Sequence, residues 1–184
     1  MRIDRNDGVT RLEKRADRPV PEPIWPDGLI ARSFDRTRDV TTLPQVINAT
    51  FADHPTPMLM EEEFFRASLD DPDILDDDAI VLEERTTGEI VGFCLADVRR
   101  AGGVVTSSHA EIGLVGVRPD RQGRGLGRQL LRAGTAYLRR VGIANIGLAV
   151  NGRNAAALGL YESEGFTRAR TRDRWVRPIP PVRP

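Results

Sequence analysis

The hydrophobic pattern divides the chain in two. From Met1 to about Gly28 the residues are charged and then proline-rich, with Pro19, Pro21, Pro23 and Pro26 and no sustained apolar period. This composition predicts a flexible or surface-bound extension over residues 1–28. Beyond it, strand and helix periods alternate. Leu29–Phe34 reads as a first strand. Asp39 is placed to cap a helix through Ala52, with Val40, Leu43, Val46, Ile47, Thr50 and Phe51 on one stripe. The loop Asp53-His54-Pro55-Thr56-Pro57 stops it, and a second helix is expected from about Met60 to Leu69. Ala79–Glu84 and Glu89–Val98 read as strands joined through Arg85-Thr86-Thr87-Gly88, and Ala101-Gly102-Gly103 makes a further turn. A strand over Ala110–Val117, a helix from about Gly125 to Val141, a strand over Asn145–Val150, a helix over about Asn154–Glu164 and a strand over Thr167–Val176 complete the order βααβββαβαβ. That order predicts an α/β fold with a central mixed sheet flanked by helices, in a single domain over residues 29–184.

Composition narrows the function classes. The 184 residues suffice for one domain with a sizeable core, and 40% apolar with 29% charged is an ordinary globular balance. Twenty-seven Lys and Arg offset twenty-seven Asp and Glu, so no overall basic field points to nucleic acid. No stretch approaches the roughly 18 apolar residues of a membrane span, and Met1–Arg18 lacks the apolar core of a secretion signal. The expectation is a cytoplasmic protein with no membrane partner. Cys94, the single cysteine, lies within the apolar run Ile90–Val98 and reads as a buried core thiol. His54 and His109 lie far apart and nothing has metal-ligand spacing, so no metal is expected. The stretch Asp70–Asp78 carries six aspartates; it reads either as a solvated connection or as a device that attracts a cationic ligand.

The segment from Val117 to Leu131 carries the chemistry. It sets Gly123, Gly125 and Gly127 between a strand and a helix. A helix start leaves backbone N–H groups free and carries the positive end of the dipole. Glycines there permit unusual dihedrals and let a phosphate approach the backbone. Arg124 and Arg128 add charge. The P-loop pattern is absent, and the spacing Gly-x-Gly-x-Gly differs from the dinucleotide fingerprint. A pyrophosphate is the ligand this turn suits.

Val117, Pro119, Gln122, Gly125 and Gly127 form Val-x-Pro-x-x-Gln-x-x-Gly-x-Gly, which resembles the acetyl-CoA motif of the GNAT superfamily of N-acetyltransferases. Leu148-Ala149-Val150 followed by Asn154 through Phe166 is similar to that family's later strand–helix–strand unit. With the strand order, the resemblance covers roughly Leu29 to Val176. Ala52-Asp53-His54-Pro55 and Trp25-Pro26-Asp27-Gly28 also resemble mycothiol-synthase-like members, which have two such domains where this chain has length for one.

The resemblance implies acetyl-CoA as co-substrate and transfer of its acetyl group to an amine, with a small-molecule acceptor ahead of a peptide or protein one and a non-catalytic acyl-CoA-binding module as the other class. The oligomeric state stays open between monomer and homodimer. By position, backbone groups of Val115, Gly116 and Val117 hold the pantetheine arm, with Gly116 easing a splay of the strand. The run Gln122, Gly123, Arg124, Gly125, Leu126, Gly127 and Arg128 holds the pyrophosphate, and Asn154 touches the cofactor. Tyr161 matches the family tyrosine that protonates the departing thiolate, while Leu160 and Phe166 read as core. Where some protein-acetylating relatives carry a basic glutamate this chain has Ala149. Glu111 matches the place where other relatives keep a catalytic glutamate, and water relays from Asp53 or His54 are equally admissible as the base.

Overall fold

The computed structural model describes residues 4–54 and 58–176. Residues 1–3, the helix-stopping Pro55, Thr56 and Pro57, and the expected last residues 177–184 of the domain lie outside the described residues. In chain order the elements are β1 (Asp4–Arg15), β2 (Leu29–Ser33), α1 (Thr42–Phe51), α2 (Glu62–Ser68), β3 (Ala79–Glu84), β4 (Ile90–Asp97), β5 (Arg100–Ala101), β6 (Val104–Val105), β7 (His109–Val117), α3 (Leu126–Arg140), β8 (Asn145–Asn151), α4 (Ala155–Ser163) and β9 (Thr167–Val176). Seven strands make one sheet in the order β2-β3-β4-β7-β8-β1-β9, and β5 pairs with β6 in a small separate hairpin. Every neighbouring pair in the large sheet is antiparallel except β7 with β8, which is parallel. The expected mixed sheet with helices on both faces is therefore present.

The alternation of side chains along β3 and β4 explains the two layers, because neighbours in sequence point to opposite faces. Val81, Ile90 and Phe93 join Leu43 and Ile47 of α1 and Phe65 of α2 in one buried cluster. Leu82, Val91 and Cys94 join Leu130, Leu131 and Leu138 of α3 and Ile146 and Leu148 of β8 in the other. Helix α3 lies close to β4: a Cβ added at Gly134 would run into the Cys94 Sγ. Cys94 is a core thiol, pushed up to about 12 by burial.

The N-terminal extension is where the structure departs from the sequence reading. Residues 4–15 are not a loose tail but an interior strand, β1, paired with β8 from Val9↔Asn151 to Arg15↔Asn145 and with β9 on its other side. The alternation is hidden because each face of β1 carries one apolar residue. Thr10, Leu12 and Lys14 point inward and are buried, while Val9, Arg11 and Glu13 point outward. Lys14 is held inside by a 2.6 Å bond to the Glu164 carbonyl and by lying 5.8 Å over the Phe166 ring. Burial pulls its pKa below the usual lysine value although the Glu164 carboxylate pulls the other way. The connection to β2 is also anchored, through the Ile24 N–H to Gln129 Oε1 at 2.8 Å and through Trp25, which packs on the α3-side cluster.

The aspartates of the Asp70–Asp78 stretch serve the fold. Asp78 accepts from both Arg100 Nη atoms at 2.6 and 2.7 Å and from the Tyr137 hydroxyl at 2.7 Å. Asp76 pairs with Arg36, Asp77 accepts from Ser33, and Asp73 accepts the Gly103 N–H at 2.7 Å. Among the described residues, no helix is long and apolar enough to cross a membrane.

Candidate functional site

The site begins where two parallel strands part. Pairing of β7 with β8 runs from His109↔Asn145 to Ile112↔Leu148 and then stops. On the other side of β7 the register with β4 shifts between Leu114↔Leu95 and Ile112↔Ala96, which leaves Gly113 as the extra residue of a β-bulge. A bulge bends its strand and increases the local twist, so β7 leaves β8 at this point. The splay expected near Gly116 is thus centred at Gly113. Gly116 is small for another reason: an added Cβ would meet the Phe93 ring and Thr50 Cγ2 at 2.7 Å.

The opened space is a cavity of about 640 Å³, walled by Ile112–Val117 of β7 on one side and Leu148–Asn151 of β8 on the other. The inner edge of β7 from Gly113 onward has no strand partner there, so its backbone groups are available to an extended polar chain. At one end stands the glycine turn. Gly123 and Gly125 both have φ of +76°, and Gly125 is the N-cap of α3. Gln122 pins the turn by donating from Nε2 to the Val117 carbonyl at 3.0 Å. The N–H groups from Gly123 through Gly127 donate to no other group among the described residues. Successive free N–H groups at a helix start form an anion nest.

The charged side chains behind the turn are braced. Glu164, buried at the end of α4, accepts from Arg132 at 2.8 and 2.9 Å and from Arg128. Burial pushes the Glu164 carboxyl up, but the Arg132 and Arg128 guanidiniums outweigh it and hold the group below the usual range. Arg128 thus reaches the cavity wall already half-neutralised. Arg121, absent from the expected site residues, also lines the cavity and is paired with Glu84 at 3.3 Å and Asp120 at 3.4 Å. Arg124 stands outside the lining.

Helix α4 supplies the opposite wall. Asn154 caps it, accepting the Ala157 N–H at 3.0 Å, and lines the cavity together with Tyr161. Tyr161 is only 8% exposed. Its phenol is pushed up to about 12, chiefly by burial and secondarily by the nearby Cys94. Its hydroxyl bonds to no described residue. Leu160, read from sequence as core, lines the cavity, whereas Phe166 is buried.

Of the expected site residues, Val115, Gly116, Val117, Gln122, Gly123, Gly125, Leu126, Gly127, Arg128, Asn154 and Tyr161 converge on this one space. Glu111 does not line it. It lies two residues before the bulge, pairs with Arg11 of β1, and has His109 Nε2 at 3.8 Å. The far mouth is formed by Thr50, Phe51, His54 and Met58 on one side and Val9 of β1 on the other. Phe51 and His54 meet edge-on at 5.4 Å. Val9 could not be found from sequence, because its strand was not.

The profile described as the acetyltransferase (GNAT) family matches residues 43–166. A mycothiol acetyltransferase of Thermobispora bispora is 35% identical over 158 residues, an overlap of 86% of this chain and 53% of that protein. A solved GCN5-related N-acetyltransferase from Sphaerobacter thermophilus shares the fold at TM-score 0.76 and 23% identity, over 96% of this chain and 54% of that one. A ribosomal-protein alanine N-acetyltransferase of Escherichia coli gives TM-score 0.60 at 29% identity, over 77% of this chain and 79% of its own. The chain spans about half the length of the curated relatives it matches.

Proposed function

The chain belongs to the acetyltransferase (GNAT) family, and from that premise we propose that it is a cytoplasmic N-acetyltransferase which moves the acetyl group of acetyl-CoA to a primary amine of a small molecule by direct attack in a ternary complex. The observation that carries this reading is the continuity of one cavity from the free N–H groups of Gly123–Gly127, past the unpaired edge of β7, to Tyr161. Acetyl-CoA supplies the thioester. The turn holds its pyrophosphate by backbone donors and the helix dipole, a fit supported by the two positive-φ glycines. Val115–Val117 align the pantetheine, and a backbone N–H near Val117 suits the thioester oxygen as charge develops on it.

The reaction forms a C–N bond and breaks the C–S bond. Tyr161 donates its proton to the departing sulfur; with its pKa about 12 it remains protonated at neutral pH. The amine must lose a proton before it attacks. Glu111 takes that proton through water from its position just below the splay, with a water relay from Asp53 or from His54, which lines the cavity, as the alternative. The mycothiol acetyltransferase relative supports a small-molecule acceptor. The Escherichia coli enzyme, whose name specifies a ribosomal-protein alanine, favours a peptide amine as the second reading.

Isothermal titration with acetyl-CoA followed by thiol release against a panel of small amines and N-terminal peptides tests the proposal. Micromolar binding with turnover on a small amine is the expected result. Turnover on peptides alone replaces the acceptor class. Binding without any turnover makes the chain an acyl-CoA-binding module.

A further inference from the structure

Helices α1 and α2 cover one face of the sheet only over β2, β3 and β4 and the start of the cleft. On the same face beyond the cleft, Ala149 of β8, Val9 of β1 and Arg170 and Arg172 of β9 are all exposed. The register fixes their arrangement. Arg11 lies opposite Ala149 on one side and Arg170 on the other, and Val9 lies opposite Asn151 and Arg172. Ala149, Asn151 and Val9 all line the cleft. Arg170 and Arg172 therefore stand two strands out from β8, roughly 10 Å from its axis at the usual strand spacing, within reach of the mouth.

The charges on this face are unevenly satisfied. Arg11 is neutralised by Glu111. Arg170 and Arg172 have no ion pair or hydrogen bond among the described residues. Arg170 also faces Arg11 directly across the ladder, and like charges directly opposite are unfavourable. By contrast, Arg168 lies beyond a register shift and bonds to Glu162 at 2.6 Å, so an arginine of the same strand is satisfied where the fold alone is at stake. Charges on an edge strand do discourage pairing with another sheet, but that purpose is indifferent to which face they take. The cleft lining contains no aspartate or glutamate. An acceptor that reaches the thioester from this mouth meets the positive charge of Arg170 and Arg172 beyond it. The family match, residues 43–166, includes neither β1 nor Arg170 and Arg172.

We propose that Arg170 and Arg172 are the anion subsite of the acceptor, so that the amine acetylated here belongs to a small molecule that also bears an oxyanion, a carboxylate or a phosphate. This rests on the acetyl-transfer reading of the cleft. Guanidinium forks match both oxyanions in planar, two-bond geometry. Placed one strand beyond the mouth, they hold the anion away from the thioester and leave the amine end to enter.

The test uses the full chain with acetyl-CoA absent and then saturating. N-acetyl-β-alanine, its primary amide and N-acetyl-O-phosphoethanolamine are titrated while the arginine side-chain NMR signals are followed. The two acids are expected to bind at least about tenfold more tightly than the amide, the worth of a hydrogen bond to a charged group, and to shift the Arg170 and Arg172 resonances. The double variant Arg170→Gln/Arg172→Gln removes that preference, with acetyl-CoA affinity as the folding control. The acid that binds more tightly identifies which oxyanion the subsite serves. Equal binding of acid and amide, binding of neither acid, or a preference that survives the double substitution overturns the subsite. Failure of the wild-type chain to bind acetyl-CoA at all overturns the transferase reading instead, and this inference with it.

Discussion

The two ends of the cleft are built from different materials. The pyrophosphate end is made of backbone: free N–H groups from Gly123 to Gly127, two glycines at φ +76°, and a helix start. The mouth is made of side chains contributed by elements distant in sequence, Val9 from β1, Phe51 at the end of α1, His54 just after it, and Ala149 from β8. Backbone chemistry tolerates many sequences provided the glycines are kept, so it suits a ligand that does not vary. A mouth of side chains can be changed one residue at a time, which suits an acceptor that differs between proteins of one fold. Tyr161 sits between the two ends and is asked to serve both.

Removing the Tyr161 hydroxyl is expected to have the largest effect. Tyr161→Phe keeps the ring and its packing, and kcat should fall about 10²–10⁴-fold with acetyl-CoA affinity nearly constant. Near-full kcat with chemistry rate-limiting would return Tyr161 to a packing role. Because burial raises the phenol to about 12, no loss of rate from its ionisation is expected up to roughly pH 10.

Second comes the strand that builds the mouth. Leu12 is fully buried on β1, and Leu12→Ala should lower stability by about 2–5 kcal/mol in urea unfolding. Since among the described residues β9 meets the sheet only through β1, its amides should exchange faster with solvent in this variant while those of α3 stay protected. A cost below about 1 kcal/mol, or uniform exchange, would mean that the mouth does not depend on β1.

At the backbone end, Gly125→Glu sets a negative side chain beside the nest at a left-handed position. Acetyl-CoA affinity should fall about 10–100-fold, the worth of one or two charge-assisted hydrogen bonds. Unchanged affinity in a folded variant would remove the turn from the site.

The smallest effect expected is on acid stability. Glu164 has its folded pKa lowered, so the stability it contributes is present above the ordinary carboxylate pKa and is lost as pH falls through the folded value. The contact of α3 with the end of α4 should therefore loosen as pH falls below the ordinary carboxylate range, with Glu164→Gln flattening that part of the pH–stability curve. An identical acid limb in both proteins would show that Arg128 and Arg132 are not braced this way.

How far each region could be read from sequence follows the same division. The glycine spacing is a local signal, and the structure places Gln122, Gly123, Gly125 and Tyr161 in one cavity. Arg124 and Glu111, chosen by position along the chain, fall outside its lining. Strand β1 was illegible because its buried set is Thr10, Leu12 and Lys14. A lysine becomes a core residue only when a carbonyl and an aromatic ring more than a hundred positions away receive it, as the Glu164 carbonyl and Phe166 do here. The bulge at Gly113 was equally hidden, since it exists only in the register between β7 and β4.

The place of β1 also sets an order of events in folding. Thr10 meets Thr171 across 161 positions, and the pairing with β8 spans nearly as many. Such contacts carry a high loop-closure cost and slow the search for the native state. As the chain leaves the ribosome, β1 is made long before either neighbour. The sheet from β2 to β7 can assemble in the meantime, but the slot between β8 and β9 does not exist until β9 has been synthesised. Completing the sheet therefore waits for β9, and until β8 and β9 have been made β1 is an unpaired strand that a chaperone would have reason to hold.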